Sequence, residues 1–251
     1  MYVSLQSRRP WLLRNIIPAP CGGPPASICA RRGRGAMRGT ATDLPEALPS
    51  PSPPSSSSHF SPGRHYYVAV DRLQFKMETL VDLLGVAGRR PSLPMVICCS
   101  SRDELDAVCA SVSNLSFISL SSLYSDLAEC ERALVLEKFR HSTVEWSQIN
   151  NAHPGDDLDG NVADKSCMIV VTDVCLPLVA SGEAPLLARI LINYELPTKK
   201  ETYLRRMSTC LAADGIVINM VVGGEVVALK GLEESNGLVI AEMPINISEI
   251  L

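Results

Sequence analysis

From His65 onward the chain alternates short runs of consecutive apolar residues with stretches in which apolar positions recur every three or four residues. The first texture is that of strands covered on both faces, the second that of helices with one buried stripe. His65 to Val70 (HYYVAV) and Pro94 to Cys99 (PMVICC) predict strands, and Lys76 to Leu84, with Leu80, Leu83 and Leu84 on one face, predicts a helix between them. Ser101 followed by Asp103 and Glu104 places a hydroxyl cap and early acids at the start of a helix running to about Val112. Phe117 to Leu120 predicts a short strand and Asp126 to Arg140 a helix, with Leu127, Leu134, Val135 and Phe139 near helical spacing. Further strands are expected at Met168 to Thr172, Ile190 to Tyr194 and Ile216 to Val222, with helices at Lys200 to Thr209 and near Glu225 to Glu233. Strand and helix in alternation predict an α/β fold with a mainly parallel sheet between helical layers.

Two segments break the pattern. Pro45 to Pro62 is dominated by proline and serine and offers no packed face, so residues 1–63 are expected to be a disordered segment, basic and then Pro/Ser-rich, ahead of one domain at 64–251. The polar stretch from His141, at about 141–166, carries Asp156, Asp157, Asp159 and Asp164 without helical periodicity and reads as a surface insertion. Its histidines and aspartates match no metal-ligand spacing, which favours a solvated acidic loop. Between Pro177 and Pro185 the chain should be irregular, from Val174 to about Ala188.

Charge is distributed unevenly. The net charge is −4, yet residues 1–60 hold seven arginines against Asp43 and Glu46, which leaves −9 on the remainder. An acidic body argues against nucleic-acid binding by bulk electrostatics, so an RNA contact would be local and no DNA partner is expected. Arg8, Arg9 and Arg14 around Trp11, Leu12, Leu13, Ile16 and Ile17 have the composition of an organellar transit peptide, or of a basic tail in which Arg31 to Arg38 touches RNA. The compartment follows the choice: chloroplast or mitochondrion if residues 1–40 are a transit peptide, cytoplasm or nucleus otherwise. No apolar run approaches the roughly 20 residues of a membrane span, so no membrane partner is expected. Nine cysteines without a C-x-x-C pair suggest neither a disulfide framework nor zinc.

Neither a G-x-x-x-x-G-K-[ST] loop, nor G-x-G-x-x-G after a strand, nor G-x-S-x-G is present, so these motifs nominate no enzyme. The order of particular residues is more informative. Tyr67-Val68 with Lys76, Thr79 and Leu80, then Val96-Ile97, Glu131-Arg132, Phe139-Arg140 and Val171-Thr172-Asp173 are followed by Ile192 to Pro197 (INYELP). Glu201, Tyr203 and Arg206, then Ile218-Asn219-Met220, Glu242-Met243-Pro244 and Asn246 complete the series. From about Tyr66 to Leu251 the chain thereby resembles the C-terminal RecA-like domain of the DEAD-box RNA helicases, in particular the translation initiation factor 4A subfamily.

That resemblance implies a RecA-like three-layer domain and a set of expected sites. In the family this domain contacts the RNA sugar-phosphate backbone through hydroxyl and amide groups. The positions that match are Ser100 and Ser101, where the family has Asn-Thr, Arg132 of its Q-x-x-R pair, and Thr172 of its T-T-D; Asp173, Tyr203 and Arg206 are retained motif residues. Glu129 stands where the glutamine is expected, an acid facing phosphate. The family's A-R-G-x-D is replaced by Val174 to Pro185 (VCLPLVASGEAP). In its H-R-x-G-R-x-x-R the histidine and glycine become Arg205 and Ser208, and the two phosphate-facing arginines fall on Thr209 and Ala212.

The family uses ATP and magnesium, but nothing in residues 1–63 resembles its first domain, so no cofactor is expected for this chain alone and no catalytic residue is assigned. The expected function is a stand-alone, non-catalytic second domain with at most weak binding to RNA or to a translation scaffold protein. The alternative is the C-terminal half of an ATP-dependent RNA helicase whose first domain comes from another chain, making a second helicase domain the partner.

Overall fold

The computed structural model describes residues 64–151, 165–244 and 246–250. The expectations for residues 1–63, and for the acidic stretch at 152–164, lie outside the described residues. Twelve principal elements follow in the order β1 (His65–Val70), α1 (Lys76–Ala87), β2 (Pro94–Cys99), α2 (Arg102–Val112), β3 (Ile118–Leu123), α3 (Glu129–Asn151), β4 (Ser166–Thr172), β5 (Ala188–Asn193), α4 (Lys200–Cys210), β6 (Leu211–Val222), α5 (Val226–Asn236) and β7 (Ile240–Glu242). The strands form one seven-stranded sheet in the order β3-β4-β2-β5-β6-β1-β7. Every pairing is parallel.

Alternation along the central strands divides the core into two layers. Met95, Ile97 and Cys99 of β2 pack with Leu80, Leu84, Leu105 and Val108 of α1 and α2. Val96 and Cys98 of the same strand pack instead with Phe139, Met207 and Leu229 of α3, α4 and α5. β2 and β4 are buried along their whole length, which is why they read as unbroken apolar runs. Ser101 caps α2 as expected, its hydroxyl accepting the Glu104 N–H at 3.2 Å.

The structure corrects the sequence reading in three places. The helix expected to end at Arg140 continues to Asn151, so the polar stretch begins as helix and not as loop. Leu136, Phe139, Thr143 and Trp146 follow one another at steps of three and four; Phe139 and Leu136 are buried, and Trp146 packs on the core. Thr143, with its hydroxyl donated to the Arg140 carbonyl at 2.7 Å, is the polar member that interrupted the apolar signal. β7 was not anticipated, because Ile240 is its only buried residue. β6 begins at Leu211, ahead of the expected Ile216.

That early start contains a bulge. Ala188 pairs with Leu211 and Ile190 with Ile216, so β6 carries Ala212 to Gly215 where β5 carries Arg189 alone. Arg189 clamps the excursion through an ion pair with the Asp214 carboxylate at 2.6 Å. Arg64 and Arg189 both donate to the Asp214 carbonyl. A Cβ at Gly215 would lie 2.6 Å from Leu211 Cδ1 and 3.0 Å from the Ala212 carbonyl oxygen, so a larger residue there forces the Leu211 side chain to move. Gly215→Ala is therefore expected to destabilise the domain by about 1–3 kcal/mol in urea unfolding, whereas Gly224→Ala, with open space around it, should leave the midpoint nearly unchanged.

Candidate functional site

Parallel sheets of this kind place their sites at the carboxyl ends of the strands, and here that edge gathers the residues singled out from the sequence. Cys99, the last residue of β2, is in register with Thr172, the last of β4, which brings Ser100, Ser101, Thr172 and Asp173 side by side. Cys98 pairs with Asn193 of β5, bringing the start of the following INYELP turn to the same edge. Ser100 donates its backbone N–H to Glu195 Oε2 at 2.7 Å, tying the ends of β2 and β5 together.

Beneath this edge lies a continuous polar chain. Arg206 is 0% exposed. Its Nε and Nη2 donate to the two Asp173 carboxylate oxygens at 2.7 Å each, and its Nη1 donates to Asn193 Oδ1 at 2.9 Å and the Glu195 carbonyl at 2.8 Å. Asn193 passes a hydrogen bond to Asn219 Oδ1 at 2.8 Å, and Asn219 donates to the Tyr66 carbonyl and the Tyr203 hydroxyl. Tyr203 in turn meets His65 Nδ1 at 3.0 Å. Burial works against the Arg206 charge and Asp173 more than offsets it, so the guanidinium stays ionised. Burial also pushes the Tyr203 hydroxyl up to about 12 and lowers the His65 imidazole. Tyr203 and Arg206 are thus retained as structural members, and Asp173 is committed to Arg206.

The expected RNA-facing groups are placed less freely than the sequence suggested. Thr172 is 8% exposed and its hydroxyl donates to Cys175 Sγ at 3.3 Å. The Ser101 hydroxyl serves the α2 cap, while Ser100 is exposed. Arg132, only 16% exposed in its side chain, donates to the Cys175 carbonyl at 2.9 Å and to Glu183 at 3.2 and 3.3 Å. Glu129 lies exposed at the start of α3. Glu183 was not foreseen; no motif marks it, and only its place in the segment that departs from the family pattern could have drawn attention to it. Asn193 and Asn219 carried a signal in the sequence, as lone amides within apolar strands that need partners when buried.

The segment after β4 is irregular as expected, with short 3-10 turns at Asp173–Cys175 and Val179–Ser181 and no strand or α-helix before β5. Thr209, one of the two positions matched to phosphate-facing arginines, is 3% exposed inside α4 with its hydroxyl on the Arg205 carbonyl at 2.7 Å. Ala212, the other, lies in the β6 bulge, and α4 passes into β6 between Cys210 and Leu211 with no intervening loop. Among the described residues, no group of three or more His, Cys, Asp or Glu side chains is placed to hold a metal, and no helix is long and apolar enough to cross a membrane.

The fold and its edge site define a RecA-like α/β domain. No family model matches the sequence. Initiation factor 4A of Cryptosporidium parvum is 27% identical over 190 residues, 75% of this chain and 40% of that protein. The ATP-dependent RNA helicase eIF4A of Candida glabrata is 28% identical over 189 residues, 74% of this chain and 40% of its own length. The chain thus spans about two fifths of the length of the curated relatives it matches. Among solved structures, the C-terminal domain of the DEAD-box protein Dbp5 superposes with a TM-score of 0.54 at 18% identity, over 74% of this chain and 93% of that one. E. coli SrmB, solved with RraA, gives 0.51 at 18% identity over 74% and 92%. Homology to the initiation factor 4A and DEAD-box RNA helicases therefore runs over three quarters of this chain, and what it shares with them is the C-terminal RecA-like domain.

Because Arg206 is fully desolvated while Asp173 is partly exposed, removing the carboxylate leaves a buried charge uncompensated. Asp173→Asn should cost about 3–5 kcal/mol in chemical unfolding, Arg206→Met should cost less, and Arg206→Lys should not preserve full stability, since an ammonium cannot make the forked contact. The His65 imidazole, lowered by burial, binds its proton more readily when unfolded. Stability should therefore be full above about pH 6.5 and fall as pH drops below it. Thermal melting from pH 7.5 to 5.5 should show this slope, and His65→Gln should flatten it.

Proposed function

We propose that this domain is a non-hydrolysing member of the DEAD-box C-terminal domains that engages single-stranded RNA weakly through its sheet-edge hydroxyls and amides. The observation that carries the reading is the junction between α4 and β6. The resemblance places two arginines on the transferring phosphate, and this chain has Thr209 buried within α4 and Ala212 in the bulge. Neither side chain carries the charge that stabilises phosphoryl transfer, a contribution on the order of 10³-fold or more in related enzymes. The intact sheet edge supports a binding role. Ser100 remains exposed there beside Ser101, and backbone contacts of this kind bind any sequence.

A protein partner is supported by analogy with the solved relatives. SrmB was captured with RraA, and the Dbp5 C-terminal domain with Gle1 and IP6. For this chain the corresponding proposal is a translation scaffold or another helicase domain. Half of a two-chain helicase is a second reading, favoured by the preserved Arg206–Asp173 pair.

Mixing the full chain with the isolated first domain of a DEAD-box helicase, ATP, magnesium and single-stranded RNA separates the two. Phosphate release should stay at the level of the first domain alone. RNA-stimulated turnover above that level would establish the helicase-half reading and overturn ours.

A further inference from the structure

The segment from Asp173 to Leu187 is anchored at its two ends by Cys175, Leu176 and Leu186, which are buried in the same core as Leu136 and Phe139 of α3, and its middle is held to α3 by polar contacts. Arg132 Nη2 reaches both Glu183 oxygens at 3.2 and 3.3 Å, and its Nη1 reaches the Cys175 carbonyl at 2.9 Å. Glu183 also accepts the Leu178 N–H, which closes the turn on itself. About two helical turns further along α3, Arg140 donates to the Ala184 and Pro185 carbonyls. Between those buried ends, little apolar burial supports the turn. Val174 is 79% and Leu178 58% exposed, and Val179 is also exposed. The turn needs a left-handed residue at Gly182, with φ 92°, and ends on another at Leu187, with φ 57°, where a side chain makes that conformation costly. The stretch from Leu178 to Pro185, with its apolar side chains in solvent and one ion pair at its centre, sits at the low-stability end of the fold.

The same guanidinium is tied, through the Cys175 carbonyl, to the chain three residues beyond the end of β4. The segment leaves β4 directly after Thr172, so Arg132 lies at the edge that also carries Ser100. A guanidinium fork accepts a carboxylate or a phosphate in the same geometry. Glu183 takes one nitrogen of that fork, Nη2, with both its oxygens, and so holds the donor that a phosphate oxygen would use.

We infer that the Glu183–Arg132 pair is an internal latch: the carboxylate holds the arginine that would bind an RNA phosphate, and the sheet edge gains that contact only when the latch opens. The inference rests on the RNA-backbone reading above and adds its regulation. It accounts for weak binding in a domain that keeps the arginine. The latch also predicts a particular pattern of non-additivity, because Arg132 is silent while Glu183 is in place.

The test uses the full chain, a fluorescein-labelled oligouridylate as probe, and anisotropy at several salt concentrations. Glu183→Gln should bind about tenfold more tightly than the unmodified chain, with a salt slope steeper by about 0.7. Arg132→Gln should leave the unmodified chain's affinity within about twofold, yet abolish the gain when combined with Glu183→Gln. Glu137→Gln, which removes an exposed acid on α3 away from the latch, controls for net charge and should change binding by less than about twofold. Hydrogen exchange of the amides from Leu178 to Leu187 gives an independent readout and should accelerate in Glu183→Gln, with the melting temperature of the domain little changed. Binding by the unmodified chain with no gain in Glu183→Gln, or a gain that survives Arg132→Gln, overturns the latch and leaves RNA binding standing. Accelerated exchange with no binding by any variant, even at low salt, overturns the RNA reading and the latch with it.

Discussion

The buried guanidinium of Arg206 ties together the ends of β4 and β5 and the middle of α4, and most of the site's geometry follows from that one side chain. A charge with no water around it is tolerated only if its donors are met in the right directions. Asp173 meets two of them along the fork, and Asn193 and the Glu195 carbonyl meet Nη1. Asn193 then needs its own partner, which is Asn219 on the neighbouring strand. Asn219 in turn fixes the Tyr203 hydroxyl against His65. A chain of obligations thus runs from the edge of β4 across the sheet to β1. It holds α4 in one position, and the ends of β2, β4 and β5 stay level.

That pin does not involve the positions matched to the phosphate-facing arginines. Thr209 and Ala212 do not disturb the pin, because Arg206 faces inward from the preceding turn of α4 and Ala212 lies beyond it in the β6 bulge. Between buried ends at Cys175, Leu176 and Leu186, the segment joining β4 to β5 forms an exposed turn held by Arg132, Arg140 and Glu183, and the Thr172 hydroxyl and Arg132 guanidinium are turned toward the protein itself.

Much of this was legible in the amino-acid order, and what was missed has physical reasons. β1 and β2 were placed to the residue, since both are compact apolar runs with clear boundaries. The Asp173 and Arg206 positions stood out through family resemblance, although only the folded chain shows that they satisfy each other. The extension of α3 was hidden because its buried positions there are Thr143 and a partly covered Trp146, which carry no strong apolar signal. β7 is too short for any alternation to register. Glu183 could not be assigned from the sequence, since the pairing of residues 51 positions apart depends on a turn closed by Gly182 and a carboxylate reaching back to Leu178.

The account holds that the guanidinium of Arg206 is a permanent part of the fold and that of Arg132 is occupied from within. Arginine Nε–H correlation spectra of the full chain, recorded before and after addition of single-stranded RNA at low salt, test both halves together. The account predicts sharp, solvent-protected signals for Arg206 and Arg132 and no shift of either on adding RNA to the unmodified chain. A solvent-exchanging Arg206, or an Arg132 signal that moves directly with RNA, would contradict it.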